Sequence, residues 1–375
     1  LFFFGLKLYY IKLYGLVYWF GSLVFMYKYL RHLFPDNKNV YKVVIFIGFS
    51  YPFVAILNTV LADIYFFFFF NLIIYLFLLI EKRASFVRLL LFGTLLFILF
   101  SIKTVGIIVV ALFTLYSFKQ TIKHRKLIYN LPLVIFGLFY FFYNFLFPFD
   151  FSSNQTNFVL DNLSINSILK NFHYYSYIFA EYVSGGLFYI IDHNKTLNTI
   201  TYLILFLFSA IITINYKQML LTIKKGRVVF FILIVFVSFF IMLPMTNGPR
   251  YLFPVFPILF FFIFNIIPKK IVNFLIFIQI FSLFSYAFIE KSKRLDVVNH
   301  DYSNSIEMIR AYNFIDKTIP GDTVVFIKPR VLNLFSDAVG VPETDNTIND
   351  FNYVIINYNI SKIDPKLLKD WNEIY

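Results

Sequence analysis

Two stretches restrict the fold more than anything else in this chain. Phe66 to Ile80 and Tyr251 to Ile267 carry no charged residue and are almost wholly apolar. A helix of about 20 such residues spans the hydrocarbon of a bilayer, and runs of this kind are too long and too uniform for an ordinary soluble core. The rest of the chain repeats the pattern. Charged residues make up 14% of the sequence, against roughly 25% in a typical soluble domain. The 55 Phe and 28 Tyr give the lipid-facing surface an aromatic as well as an aliphatic character.

Ten helices follow from the apolar runs: Leu13–Leu30, Val40–Leu61, Ile64–Ile80, Leu89–Ile102, Thr104–Phe118, Leu127–Leu146, Leu197–Ile214, Val228–Met245, Tyr251–Ile267 and Ile271–Ile289. The fourth and fifth are short, and one bent element is the alternative reading. Alternate connections are basic. They hold Lys28, Arg31, Lys38 and Lys42; Lys82, Arg83 and Arg88; Lys119, Lys123, Arg125 and Lys126; Lys217, Lys224, Lys225 and Arg227; and Lys269 and Lys270. The connections between them hold few cations: Lys103, Lys170, Lys195 and Arg250. Cytoplasmic loops of membrane proteins collect Lys and Arg, so the first set is expected in the cytoplasm and the second outside it. The net charge of +13 is therefore a topology signal and not a nucleic-acid signature. Lys291, Lys293 and Arg294, after the last helix, run against this assignment.

The expected architecture is an all-α polytopic transmembrane bundle over residues 1–289, with an outer loop at about 147–196 and a small C-terminal α/β domain over 290–375, outside the cytoplasm. The tail has 13 acidic against 10 basic residues. Asn304-Ser305-Ile306-Glu307 reads as a capping box that opens a helix. Thr323–Ile327 and Tyr353–Asn357 read as strands. The segment Ile168–Tyr189 of the outer loop is amphipathic and suits a helix lying at the membrane interface. The chain begins with Leu1, without a basic n-region or a cleavage site. A preceding segment is expected, although a non-Met start codon gives the same appearance.

Absent residue types exclude several chemistries. There is no Cys, hence no disulfide, thiolate metal site or Cys nucleophile. His173 and Glu181, eight residues apart in the outer loop, lack a metal-binding spacing, and no metal site is expected. Three positions remain. Asp63 lies between two apolar helices, where a carboxylate is costly to desolvate; it reads either as a functional group or as the N-cap of the following helix. Lys103 is flanked by apolar sequence on both sides and either snorkels to the interface or binds an anion such as a lipid phosphate. Arg250, in the turn Asn247-Gly248-Pro249-Arg250-Tyr251, is suited to bidentate phosphate contact or, with Tyr251, to interfacial anchoring.

These segments, in this order, resemble the GT-C class of bacterial membrane glycosyltransferases, the broad group that includes protein O-mannosyltransferases and the lipid A aminoarabinose transferase. Leu61-Ala62-Asp63-Ile64-Tyr65-Phe66 resembles the family's Ser/Ala-Asp boundary after a long helix. Ile102-Lys103-Thr104-Val105-Gly106 resembles its Arg-Thr-x-Gly segment, with Lys in place of Arg. Pro249-Arg250-Tyr251-Leu252-Phe253-Pro254-Val255-Phe256-Pro257 resembles its Arg-Tyr-x-x-Pro-x-x-Pro helix start, and the region around Pro320-Gly321-Asp322 a common outer domain. The family's catalytic carboxylate lies in a first outer loop that nothing here matches, so the resemblance implies that this loop lies upstream of Leu1 and that the chain is a fragment. It further implies a metal-optional transferase in the cytoplasmic membrane, without a firm cofactor. Sugar would pass from a polyprenyl-phosphate donor to a glycan, lipid or protein acceptor at the outer face. Lys103, Arg250 and Tyr251 would hold the donor phosphate, and Asp63 would orient the acceptor or the cations. A polymerase or ligase of lipid-linked polysaccharide, and a transporter or flippase, share the same coarse features.

Overall fold

The computed structural model describes residues 8–51, 53–54, 63–146, 164–184, 252–297, 323–326, 339–342 and 353–355, with isolated positions between 210 and 238. It is predominantly helical. The chain divides into two units: residues 11–286, which are helical, and residues 1–10 with 287–375, which contain the strands.

Nine α-helices lie among the described residues: α1 Leu8–Leu33, α2 Asn39–Gly48, α3 Asp63–Lys82, α4 Phe86–Ile102, α5 Ile107–His124, α6 Leu131–Leu146, α7 Ile165–Val183, α8 Phe256–Ile266 and α9 Lys269–Val297. The apolar runs decide where they form, and short polar segments decide where they stop. Ser85 opens α4 by accepting the Arg88 amide at 3.4 Å, and Ser164 opens α7 by accepting the Ser167 amide at 3.1 Å. Arg88 closes α3 from the next helix: its guanidinium donates to the Leu79 carbonyl at 3.0 Å and to the Arg83 carbonyl at 2.9 Å. Beyond α5, Arg125 takes a left-handed conformation with φ of 51°. This geometry costs a residue with a Cβ roughly 1–2 kcal/mol. Arg125→Gly is therefore expected to raise stability by about 1 kcal/mol, read as an upward shift of the melting temperature in detergent.

The structure decides one open reading of the sequence and departs from it at two stretches. The fourth and fifth predicted helices are an antiparallel hairpin, α4 and α5, and not one bent element. Phe92 of α4 meets Phe113 of α5 with ring centroids 4.5 Å apart, which requires the chain to double back between them. The predicted helix Val40–Leu61 is interrupted: α2 ends at Gly48, and a new helical turn begins with Ser50, whose carbonyl accepts from Phe53 and Val54 at 3.2 and 3.0 Å. The cause is in the sequence, because Pro52 has no N–H to donate to the Gly48 carbonyl. The last helix runs on to Val297, so Lys291, Lys293 and Arg294 extend α9 instead of following it.

The core joins two layers. On one side α3, α4, α5 and α6 pack through Phe77, Phe92, Phe113 and Tyr116, and through Phe97 and Phe100 against Phe136, Phe139 and Tyr140. Gly93 of α4 makes the α4–α6 approach as close as it is. A Cβ there would lie 2.6 Å from the Pro132 carbonyl oxygen and 2.9 Å from the Pro132 Cα. Gly93→Ala is expected to cost about 1–3 kcal/mol by overpacking, seen as a lower melting temperature. On the other side α2, α7, α8 and α9 pack around Phe46, Tyr182, Phe256 and Phe260.

The amphipathic outer-loop segment does form a helix, but its second half does not lie flat at a surface. Tyr182 is buried among α2 and α8, its hydroxyl donates to Ser50 Oγ at 2.8 Å, and Gln279 Nε2 of α9 donates to its carbonyl at 2.6 Å. Among the residues of α7 whose burial is described, the exposed large apolar ones, Ile165, Ile168 and Leu169, lie in its first turns.

The second unit holds a three-stranded parallel sheet in the order β2-β1-β3, with β1 Thr323–Phe326, β2 Val339–Pro342 and β3 Tyr353–Ile355. Thr323 aligns with Val339 and Val324 with Tyr353. β1 and β3 fall on the two strands read from the sequence. The capping box at residues 304–307 lies outside the described residues, as do most of the predicted helices Leu197–Ile214 and Val228–Met245.

Candidate functional site

The directions of the helices sort the charges. α3 runs from Asp63 to Lys82, α4 returns from Phe86 to Ile102, and α5 runs back to His124. The turns at Lys82–Arg88 and Lys119–Lys126 therefore share one end of this hairpin stack, and Asp63 and Lys103 share the other. The other layer follows the same rule. Asn37 and Asn39, before and at the start of α2, bind Asn265 Oδ1 near the end of α8 at 2.6 and 3.2 Å, and Lys42 donates to Asn273 of α9 at 2.8 Å. Two basic connections far apart in sequence, Lys28–Lys42 and Lys269–Lys270, are thereby tied together. Lys28 also lies 5.8 Å from the ring of Tyr75, in the basic half of α3.

At the opposite end, Lys103 and Asp63 form an ion pair between residues forty positions apart. Asp63 is the first residue of α3, where the free amides and the helix dipole favour a carboxylate. Its side chain is 3% exposed, and that of Lys103 is 15% exposed. Lys103 is held in an extended conformation, φ −148° and ψ 129°, just after α4. The chain then makes a single 3₁₀ turn, Thr104–Gly106, closed by the Gly106 amide on the Lys103 carbonyl at 2.8 Å. Phe66, one turn into α3, presents its ring 5.8 Å from the ammonium, within the range of a cation–π contact. The pair is thus built from three elements: a helix N-terminus, a helical hairpin and an aromatic face.

Of Asp63, Lys103, Arg250 and Tyr251, the structure brings the first two together. Arg250 and Tyr251 lie outside the described residues. The two residues that follow them are described. Leu252 and Phe253 are buried, and Phe253 packs on Phe53 and Phe67 with centroids 5.2 and 6.3 Å away. Phe67 is four residues after Asp63, so the segment beginning at Leu252 enters the core beside the first turn of α3. His173 and Glu181 both fall within α7. Among the described residues no group of three His, Asp or Glu is arranged to hold a metal ion.

Protein-family models give no match to this chain, and neither do the curated proteins or the solved structures. The functional reading accordingly rests on residues and geometry.

Sequence reasoning missed Phe66, which only its spacing of three residues from Asp63 would have suggested. It also missed a buried polar layer, Ser50, Tyr182, Gln279 and Ser282, all nearly free of solvent. Gln279 and Ser282 carried a usable signal, since polar residues inside an apolar run are candidates for inter-helix hydrogen bonds.

Proposed function

We propose that this chain is a polytopic membrane protein that transfers a sugar from a polyprenyl-phosphate donor to an acceptor at the outer face of the cytoplasmic membrane. The observation that carries the reading is the buried Asp63–Lys103 pair at the end of the helical unit opposite its basic turns.

The membrane part rests on surface chemistry. Asp63–Lys82 and Leu127–Leu146 are each long and apolar enough to cross a bilayer, and 6% of the second stretch is buried. Around it Val134, Leu138, Phe141, Phe142, Phe145 and Leu146 are exposed. So large an apolar face is unstable in water and matched to lipid. With the basic turns in the cytoplasm, Asp63 and Lys103 face outward. The C-terminal sheet, read as part of a small α/β domain, is then extracytoplasmic.

The chemistry follows from charge. In the proposed reaction the acceptor oxygen bonds to the anomeric carbon of the sugar. The bond from that carbon to the phosphate oxygen breaks, the acceptor proton passes to a carboxylate base, and polyprenyl phosphate leaves with an added negative charge. A fixed ammonium beside the departing oxygen stabilises that charge best where water is excluded. Lys103 fills this role in the proposal, with Arg250 and Tyr251 completing the phosphate site. Asp63 holds the ammonium in place when no lipid is bound.

The reading is tested with purified protein in liposomes, supplied with a synthetic polyprenyl-phosphate hexose labelled in the sugar. Release of polyprenyl phosphate is expected, reduced at least tenfold by Lys103→Ala and by Arg250→Ala. A protein that binds the lipid but never cleaves it, across several hexose and pentose donors, ends the proposal. The break in α2 supports a second reading as a transporter, because interrupted helices in membranes accompany substrate passage. Movement of intact labelled lipid between leaflets of the same liposomes, without cleavage, would favour it.

A further inference from the structure

Away from the ion pair, among the residues of α9 whose burial is described, Val272, Leu275, Gln279 and Ser282 form a buried stripe. The first two are apolar and pack in the core. The other two are polar, 0% and 1% exposed, and each keeps one atom without a hydrogen-bond partner, Gln279 Oε1 and Ser282 Oγ. We propose that Gln279 and Ser282 form a binding site for a single hydroxyl group, supplied by an internal water or by an alcohol of a bound lipid or sugar.

Four observations lead there. First, the orientation of the Gln279 amide is fixed. Its Nε2 donates to the Tyr182 carbonyl at 2.6 Å and reaches the Val183 carbonyl at 3.4 Å. Turning the amide over would set oxygen against those carbonyl oxygens, so Oε1 is the atom left facing away, and it can only accept. Second, the Ser282 hydroxyl is buried without a partner, whereas several helix hydroxyls are satisfied by their own helix. Thr94, Ser101 and Thr114 each satisfy themselves on the carbonyl four residues back, and Ser22 uses the one three back. Ser282 makes no such bond, which leaves its hydroxyl directed elsewhere. Third, Gln279 and Ser282 are three positions apart, so the two unpartnered groups belong to the same buried face of α9, one turn from each other. Fourth, the neighbouring polar groups are occupied. Tyr182 donates its hydroxyl to Ser50, and Ser50 donates to the Ile47 carbonyl at 2.9 Å. Both hydroxyls are thus already satisfied within the protein.

The donor set selects the ligand. A hydroxyl donates to Gln279 Oε1 and accepts from Ser282 Oγ, which completes both atoms at once. An anion would meet the lone pairs of Oε1, and two neutral oxygens are too few for a cation. Leaving both atoms unsatisfied inside a helical core is costly in each case.

The test is a double-mutant cycle on the full-length protein, with Ser282→Ala, Gln279→Met and the pair, read as melting temperature in detergent. Gln279→Met also loses the bond to Tyr182, and the cycle cancels that common loss. A bridging hydroxyl couples the two positions: Ser282→Ala lowers the melting temperature alone and has little effect once Gln279 is Met. Coupling in protein stripped of lipid assigns the hydroxyl to water. Coupling that appears only after adding a polyprenyl-phosphate hexose or a bacterial lipid extract assigns it to the ligand. Additive effects under both conditions overturn the proposal. If Gln279→Met does not fold, Ser282→Ala alone decides: a neutral or raised melting temperature, with and without lipid, means that the hydroxyl had nothing to bind.

Discussion

Lys103→Met is expected to be among the most damaging single substitutions in this chain, costing about 3–5 kcal/mol of stability and abolishing sugar transfer. The cost follows from where the partner sits. Asp63 is almost fully buried at the head of α3, and its carboxylate faces the Lys103 ammonium. Taking away one member of a buried pair leaves the other's charge in a medium that solvates it poorly. The α3 N-terminus offsets part of this, since it favours a negative charge at that spot. Two further variants separate stability from chemistry. Asp63→Asn combined with Lys103→Met removes both charges and is expected to recover most of the lost stability, because a neutral pair needs no ion solvation. Transfer is not expected to return, because no ammonium remains for the phosphate. Lys103→Arg keeps the charge, is expected to fold, and to retain part of the activity. Melting temperature and polyprenyl-phosphate release, measured on the same preparations, check all three. A double variant that regains both stability and transfer would make the pair a structural clamp and nothing more.

Local chemistry made the helices legible and left their partners obscure. The run from Ile64 to Ile80 reads as a helix because apolar residues alone can cover it, and α3 covers the same ground with Asp63 and Lys82 at its ends. The turn between α4 and α5 gave a weaker signal. Its punctuation is Lys103, Thr104 and Gly106 within otherwise apolar sequence, enough to mark a boundary but not to say whether the chain bends or doubles back. What decides between them is Phe92 packing on Phe113, a contact that no local pattern encodes. The interruption of α2 was written in Ser50-Tyr51-Pro52, a cap followed by a residue without an amide hydrogen. The strand Val339–Pro342 was hidden for the opposite reason. Its Gly and Pro count against a strand, and only its pairing with β1 overrides them.

The candidate site shows the same division. Asp63 and Lys103 each stood out as a charge in apolar surroundings, yet each also had a plain structural explanation, as a helix cap and as a snorkelling lysine. Neither explanation mentions the other residue. The pairing joins them across forty positions, so Asp63 is a helix-start carboxylate and an ion-pair partner at once. Tyr182 is the converse case. Its segment read as amphipathic, but its burial depends on Ser50, Phe256 and Gln279, the last nearly a hundred residues away.

Gly106→Ala is expected to separate the geometry of the Lys103 turn from the stability of the bundle, with transfer falling between tenfold and a hundredfold while the protein still folds. Gly106 has an ordinary right-handed backbone, φ −56° and ψ −20°, so glycine is not required there for its conformational freedom. It is required for space. A Cβ at this position would lie 2.9 Å from both the Cα and the amide nitrogen of Phe100. Those atoms belong to the last turn of α4, and backbone inside a helix yields far less readily than the tip of a side chain. The 3₁₀ turn therefore has to move, and the Gly106 amide carries Lys103 with it through the bond to the Lys103 carbonyl. Overpacking of this kind costs about 1–3 kcal/mol, while displacing a positioned group by about 1 Å can cost a hundredfold in rate. Gly137→Ala on α6 is the control, since a Cβ there meets nothing within 4 Å and alanine favours the helix. It is expected to leave both stability and transfer at or above the starting level. If Gly106→Ala lowers the melting temperature but leaves the rate untouched, the position of the ammonium does not limit the chemistry, and Lys103 belongs to the scaffold.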